Sequence, residues 1–246
     1  MDRAKHMRVF EDKEALIAYI VDLWKNVSSA SIAEKGAVTV ALSGGRTPVD
    51  LYQSLAKEGK VLSWEKTHIF LVDERFVPRE DSDSNFGMIE HALLKAVAIP
   101  RENIHPVDTS LPEPEEAAEA YEKEIIDHFS LEKGRFPRFD LILLGLGEDG
   151  HTASLFPGTA VLREKSHLVR AVRLGDRRHD RITLTFPTIN NGRHIAFQVE
   201  GMEKAGMLRK VMEENDPAVP ASLINPVEGD LLFLADRSAA GLLLKE

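Results

Sequence analysis

The sequence contains no cysteine. That absence removes disulfides, thiolate zinc sites, iron–sulfur clusters and thiol nucleophiles together, and it fits a reducing cytoplasm. Positive charge is also short: 31 Lys and Arg face 40 Asp and Glu, a formal net charge of -9 at pH 7. A chain this acidic is poorly built to hold a long polyanion, whose affinity comes from many Lys and Arg contacts to phosphates. No nucleic-acid partner is therefore expected, whereas a small phosphorylated metabolite needs only a few local cations. No stretch approaches the roughly eighteen uninterrupted apolar residues of a membrane span, so no membrane partner is expected either. The opening Met1-Asp2-Arg3-Ala4-Lys5-His6-Met7 is charged and leads into no apolar signal core. The expected location is cytoplasmic, with residues 1–6 disordered or an extension ahead of a natural start at Met7.

What is present suits a folded α/β protein. Apolar residues make up 43% of the 246 and charged residues 29%, enough for a core beneath a hydrated surface. Apolar side chains at Leu16, Ile17, Ile20, Val21, Leu23, Trp24 and Val27 have helical spacing over 15–32. A β-rich run over 37–42 stops at Ser43-Gly44-Gly45, and Pro48 suits the first turn of a following helix through Leu51, Tyr52 and Leu55. Further strands are expected over 68–72, 139–144, 168–172, 181–186, 194–199 and 231–235. Helices are expected over 85–97, 113–129 and 204–214. Strand 139–144 is almost wholly apolar, as in a strand buried on both faces. With strands and helices alternating and no linker or repeat, the expected fold is a single Rossmann-like α/β domain over 1–246. Its sheet should be mostly parallel and flanked by helices.

Three strands end in loops rich in glycine or charge, and in such sheets ligands bind beyond the carboxyl ends of the strands. The first loop is Ser43-Gly44-Gly45-Arg46-Thr47-Pro48. Its glycines can turn backbone N–H groups into an anion nest ahead of a helix N-terminus. It lacks the lysine of a nucleoside-triphosphate loop and the third glycine of a dinucleotide fingerprint; a plain strand-to-helix turn is the alternative. The second is Asp73-Glu74-Arg75 followed by Asp83-Ser84-Asn85, functional or a surface ion pair. The third is Gly145-Leu146-Gly147-Glu148-Asp149-Gly150-His151-Thr152-Ala153-Ser154. Here a histidine follows a glycine turn at the expected start of a helix, where an imidazole can take a proton from water near neutral pH. Asp149 could orient it or stabilise its cation.

Downstream, Arg181 opens a strand and Lys204 opens a helix; each is either an anion contact or a solvated charge. His91, His128 and His194 read as isolated, and no histidine pair at ligand spacing is joined by a carboxylate, so no metal site is expected.

Taken in order, these loops resemble the glucosamine-6-phosphate isomerase/6-phosphogluconolactonase family, on its lactonase side. The likeness rests on Leu42 to Pro48, Asp73-Glu74-Arg75-Phe76-Val77-Pro78, Asp83-Ser84-Asn85, Gly145 to Pro157, Arg181-Ile182-Thr183-Leu184-Thr185, Gly201-x-Glu203-Lys204-Ala205 and Pro220-Ala221-Ser222. The resemblance implies hydrolysis of 6-phospho-D-glucono-1,5-lactone to 6-phospho-D-gluconate, the second step of the oxidative pentose phosphate pathway, without metal or cofactor. It implies His151 as the general base, with Arg75 and Asp149 flanking the reaction. The substrate would be held by Ser43, Gly44, Gly45, Arg46, Thr47, Asp73, Gly147, Gly150, Arg181 and Lys204. The partner is a small sugar-phosphate lactone, and a monomer or weak homo-oligomer is the expected state. Two rival readings are a sugar-phosphate isomerase or deaminase and a sugar-phosphate sensor. The deaminase pattern has Asp-Glu-Tyr where this chain has Asp73-Glu74-Arg75, and an acid soon after the histidine where this chain reads Thr152-Ala153-Ser154-Leu155. The sensor needs an attached DNA-binding module, for which no basic helix pair is seen.

Overall fold

The computed structural model describes residues 5–175, 179–214 and 216–244. The chain runs β1 (His6–Phe10), α1 (Lys13–Lys35), β2 (Val38–Leu42), α2 (Val49–Lys57), β3 (Thr67–Leu71), β4 (Asp73–Arg75), α3 (Asn85–Ala92), β5 (Ile104–His105) and α4 (Pro114–Phe129). It continues through β6 (Leu141–Gly145), β7 (Val169–Val172), β8 (Arg181–Leu184), α5 (Phe186–Ile189), β9 (His194–Val199), α6 (Ala205–Arg209) and β10 (Asp230–Asp236). Local chemistry sets the ends of the long helices. Asp12 caps α1 by accepting the Ala15 N–H at 2.8 Å, and Gly36 closes it at φ 86°. Pro114 opens α4, where its missing N–H costs nothing.

Seven strands form a parallel sheet in the order β1-β10-β9-β6-β2-β3-β5. All five residues of β2 are buried, and alternate ones belong to two different cores. Ala41, with Phe70, Ile142 and Phe197, packs toward α4 through Tyr121 and Ile125. Val38, Val40 and Leu42 pack toward α1 through Leu16, Ile20 and Trp24. Each large apolar side chain buried in this way contributes roughly 1.5–3 kcal/mol.

The strand order reverses direction of growth between β2 and β6. From β2 the chain adds strands outward through β3 and β5; from β6 it adds them the other way through β9 and β10. Such a switch point leaves a crevice at the strands' carboxyl ends. Polar groups fasten the two strands there and at the opposite end. Ser43 Oγ donates to the Leu143 carbonyl at 2.8 Å at the crevice. At the far end the fully buried Asp140 accepts the Thr39 N–H at 2.8 Å, the Thr39 hydroxyl at 2.9 Å and the Lys35 ammonium at 2.9 Å.

The fold departs from the sequence reading in five places. His6–Phe10 is a strand, paired in parallel with β10, so His6 is ordered; residues 1–4 lie outside the described residues. Residues 73–75 form a strand rather than a loop, and it joins β8 and β7 in a separate antiparallel sheet. The eight residues between β7 and β8 are too few for a parallel crossover, which fixes that pairing as antiparallel. Phe186 leaves strand β8 and begins α5, with Pro187 in its first turn. The helix expected over 85–97 ends at Ala92, because Leu93 turns to φ -131°, and a 3-10 turn Leu94–Ala96 follows. The helix expected over 204–214 is divided into a 3-10 turn Met202–Lys204, α6 and a π turn Lys210–Glu214.

Candidate active site

The loop after β2 enters the crevice first. Gly45 sits at φ 90°, a conformation that only glycine adopts freely, and turns the chain toward α2. Among the described residues, no protein acceptor meets the N–H groups of Gly44, Gly45, Arg46 and Thr47. Helix α2 starts with no side-chain cap, so its positive end is directed at the same space. Tyr52, buried on α2, donates its hydroxyl to the Ser43 carbonyl at 2.6 Å and fixes the loop's root. Gln198, at the end of β9, donates to the Thr47 carbonyl at 3.4 Å.

The loop after β6 supplies the imidazole. No helix follows His151, contrary to the sequence reading. Ala153 lies at φ 50°, Thr152 forms an isolated bridge with Leu155, and Pro157 ends the segment. Gly147 donates its N–H to the His151 carbonyl at 2.8 Å, which folds the turn back on itself. A Cβ on Gly147 would stand 2.1 Å from His151 Nδ1, so only glycine lets the ring lie there. Asp149 Oδ1 accepts from the His151 N–H at 3.1 Å and pairs with ring Nδ1 at 2.5 Å. With Nδ1–H engaged, Nε2 is the nitrogen left to accept a proton. Phe156 flanks the ring at 4.5 Å. Burial pushes the Asp149 carboxyl up, but its bonds to His151 outweigh that and hold it below the ordinary carboxylate range.

The third wall comes from β4 and the start of α3. Buried Glu74 accepts the N–H groups of Arg75 at 2.8 Å, Asn85 at 2.7 Å and Phe86 at 2.7 Å, anchoring the α3 N-terminus to β4. Asn85 Nδ2 donates to the Asp73 carbonyl at 3.0 Å, and Gly44 approaches Asn85 so closely that a Cβ would stand 2.0 Å from its Cγ. Asp73 accepts the Ser154 hydroxyl at 2.5 Å. Burial raises its pKa, with Ser154, Arg181, His151 and Arg75 pulling against that rise.

These walls enclose one cavity of about 370 Å³. Eleven of the predicted residues line it: Ser43, Gly44, Gly45, Arg46, Thr47, Asp73, Arg75, Gly147, His151, Arg181 and Lys204. Asp149 and Gly150 do not. Asp149 stands behind the imidazole, and Gly150, at φ 83°, packs against Val219 and Met207 while its carbonyl accepts the Ala221 N–H at 2.9 Å. Tyr52, Asn85, Ser154, Phe156 and Gln198 also line the cavity and were not singled out as binding residues from the sequence. Asn85 belongs to the Asp83-Ser84-Asn85 motif and Ser154 to the histidine loop, so each carries a sequence signal; Gln198 carries none.

Arg75 is held at the rim by Asp83, at 2.7 Å to Oδ1 and 3.2 Å to the carbonyl. Arg181 donates to the His179 carbonyl at 2.5 Å. Lys204, mostly buried, has Glu148 at 3.8 Å. Arg46, Arg75, Arg181 and Lys204 thus face a space whose lining contains one carboxylate, Asp73.

A cavity basic inside an acidic protein, at the switch point of an open sheet, defines an α/β enzyme acting on a small anion. The family model described as "Glucosamine-6-phosphate isomerases/6-phosphogluconolactonase" matches residues 11–233. The chain belongs to that family. A 6-phosphogluconolactonase of Synechocystis sp. is 43% identical over 239 residues, covering 96% of this chain and 97% of its relative. The crystal structure of 6-phosphogluconolactonase from Thermotoga maritima, 34% identical, superposes with a TM-score of 0.80 over 94% of this chain and 99% of the other. The 6-phosphogluconolactonase from Trypanosoma cruzi, 29% identical, gives 0.87 over 100% and 99%. A monomeric glucosamine-6-phosphate deaminase, 21% identical with a TM-score of 0.80, shares the fold.

Contrary to the sequence reading, His128 is not isolated: it lies beside His68 and His105 at the edge of the main sheet, away from the cavity lining.

Proposed function

We propose that this chain hydrolyses 6-phospho-D-glucono-1,5-lactone to 6-phospho-D-gluconate, with His151 as general base. The observation that carries this reading is the His151–Asp149 pair set in one cavity with the N–H groups of Gly44 to Thr47, which meet no protein acceptor among the described residues. Relatives named 6-phosphogluconolactonase over nearly the whole chain supply the substrate.

A δ-lactone is an activated ester, so one positioned base and some oxyanion stabilisation suffice. Water attacks the C1 carbonyl carbon and gives a proton to His151 Nε2; general-base catalysis of this kind contributes about 10²–10⁴-fold. The developing oxyanion is met by Arg75 or by N–H groups of the 147–150 turn. Collapse of the tetrahedral intermediate breaks the bond from C1 to the ring oxygen, which takes the proton back from His151. The new carboxylic acid ionises at neutral pH. Asp149 stabilises the transient imidazolium, and Asp73 accepts from a sugar hydroxyl. Loop 43–47, Arg46, Arg181 and Lys204 hold the 6-phosphate and fix the carbonyl against the base. The same reading carries a cytoplasmic location and a monomer or weak homo-oligomer.

The phosphate anchor sets the test. The reading expects kcat/KM at least about a hundredfold higher for the phosphorylated lactone than for plain gluconolactone, from a few charge-assisted contacts at about 1.5–3 kcal/mol each. Lys204→Ala should lower that ratio mainly through KM. Equal turnover of the two lactones contradicts the anchor, and ammonia release from glucosamine 6-phosphate without lactonase activity favours the deaminase.

A further inference from the structure

Three imidazoles meet at the edge of the main sheet, on the face that α4 covers. His68 is the second residue of β3, His105 ends edge strand β5 in register with Phe70, and His128 lies in the last turn of α4. One ring nitrogen of each lies within 4.8 Å of the other two. His68 Nδ1 stands 3.1 Å from His105 Nε2. Two imidazole nitrogens bound to a tetrahedral zinc ion at about 2.0–2.1 Å lie about 3.3 Å apart, so this pair already has ligand spacing. Glu124, one helical turn before His128, pairs with His105 Nδ1 at 2.7 Å. That bond takes the Nδ1 proton and leaves the Nε2 lone pair facing His68. A carboxylate behind a ligating histidine is the usual device for setting its tautomer and basicity.

We propose that His68, His105 and His128 form a binding site for one divalent transition-metal ion of the zinc type, oriented by Glu124, which ties β3 and β5 to the end of α4. The surroundings suit this role. Phe70 stacks flat on His105 at 4.0 Å, and Phe129 stands edge-on to His128 at 5.0 Å, so both rings are held before any ion arrives. His105 is 6% exposed while His68 and His128 are half-buried. Burial holds all three rings below the ordinary imidazole pKa, His128 at about 4; neighbouring imidazoles add to this at His68 and His128, while Glu124 opposes it at His105. The charged groups at the cluster are Glu124 and Lys35, and Lys35 is engaged by Asp140 at 2.9 Å. None of the three histidines lines the cavity.

The test uses the tag-free full chain, stripped with EDTA and titrated with Zn²⁺ against a chromophoric chelator. One equivalent should bind at micromolar Kd or tighter, and Co²⁺ should give the visible absorption of a tetrahedral site. At a hundredfold excess over Kd, Zn²⁺ should raise Tm by about 5 °C, reversed by EDTA. His68→Gln and His128→Gln, both at half-buried positions, should each weaken binding at least a hundredfold while far-UV circular dichroism stays native. Glu124→Gln should weaken it about 10–100-fold. His151→Gln, in the cavity, should leave binding intact. Substoichiometric binding by the wild type, wild-type affinity in either the His68 or the His128 variant, or loss of binding in the His151 variant overturns the proposal.

Discussion

A single carboxylate oxygen of Asp149 holds His151 twice, accepting its backbone N–H at 3.1 Å and pairing with its ring Nδ1 at 2.5 Å. One contact fixes where the residue sits and the other fixes which ring nitrogen carries the proton. Phe156 closes the other side of the ring. Positioning and basicity therefore pass through the same two residues.

Asp149→Ala removes both contacts but leaves the fold alone, because half of that side chain is exposed. The account expects kcat to fall about 10²–10³-fold with KM within about threefold and Tm nearly unchanged. Steady-state kinetics on the lactone check it; a loss expressed in KM alone would mean that Asp149 binds substrate instead of orienting the base.

Gly147→Ala acts by a different route. Its methyl group would stand 2.1 Å from His151 Nδ1 and 2.8 Å from Asp149 Oδ1, so the imidazole must leave its place. Activity should fall by at least about a hundredfold, as expected when a base is misplaced by roughly an ångström. Urea unfolding should show a far smaller effect, since the clash is relieved by moving a half-exposed ring.

Glu74 gives a pH signature in stability. Its carboxyl is 1% exposed, and burial pushes its pKa from 4.5 up to about 7 against the pull of three backbone donors. The folded value exceeds the unfolded one, so between those pH values the folded chain holds a proton that the unfolded chain has released. The stability this adds is full below about pH 4.5 and is lost as pH rises through 7. Glu74→Gln cannot titrate, and its amide nitrogen would face the Phe86 N–H, so the variant is less stable throughout. The gap between wild type and variant should narrow by roughly 1–3 kcal/mol from pH 5 to pH 8 in urea titrations. A gap independent of pH contradicts the assignment.

Much of this was legible in the sequence, for identifiable reasons. α1 and α4 carry helical apolar spacing with capping or proline signals at their starts, and β2, β3 and β6 are short apolar runs ended by glycine or acid. Because functional loops follow strand ends, eleven of the thirteen residues chosen from sequence meet in one cavity. β1 was missed because His-Met-Arg-Val-Phe is a five-residue edge strand with no fully buried residue, too short for a clear pattern. The antiparallel direction of β7 and β8 was not legible from their patterning, since period-two alternation says nothing about direction and only the eight-residue connection does. Gln198 reaches the site through sheet register, opposite Gly145. His68, His105 and His128 lie 37 and 23 residues apart in the chain, and only the packing of α4 on the sheet edge brings them together.

The most direct test of the central claim is proton release from freshly prepared 6-phosphogluconolactone, followed at constant pH for the wild type and His151→Ala above the uncatalysed rate. The account predicts rapid hydrolysis by the wild type and a loss of at least about a hundredfold in a natively folded variant. Hydrolysis that survives the substitution would contradict His151 as the base, and a wild-type rate no greater than background would contradict the lactonase itself.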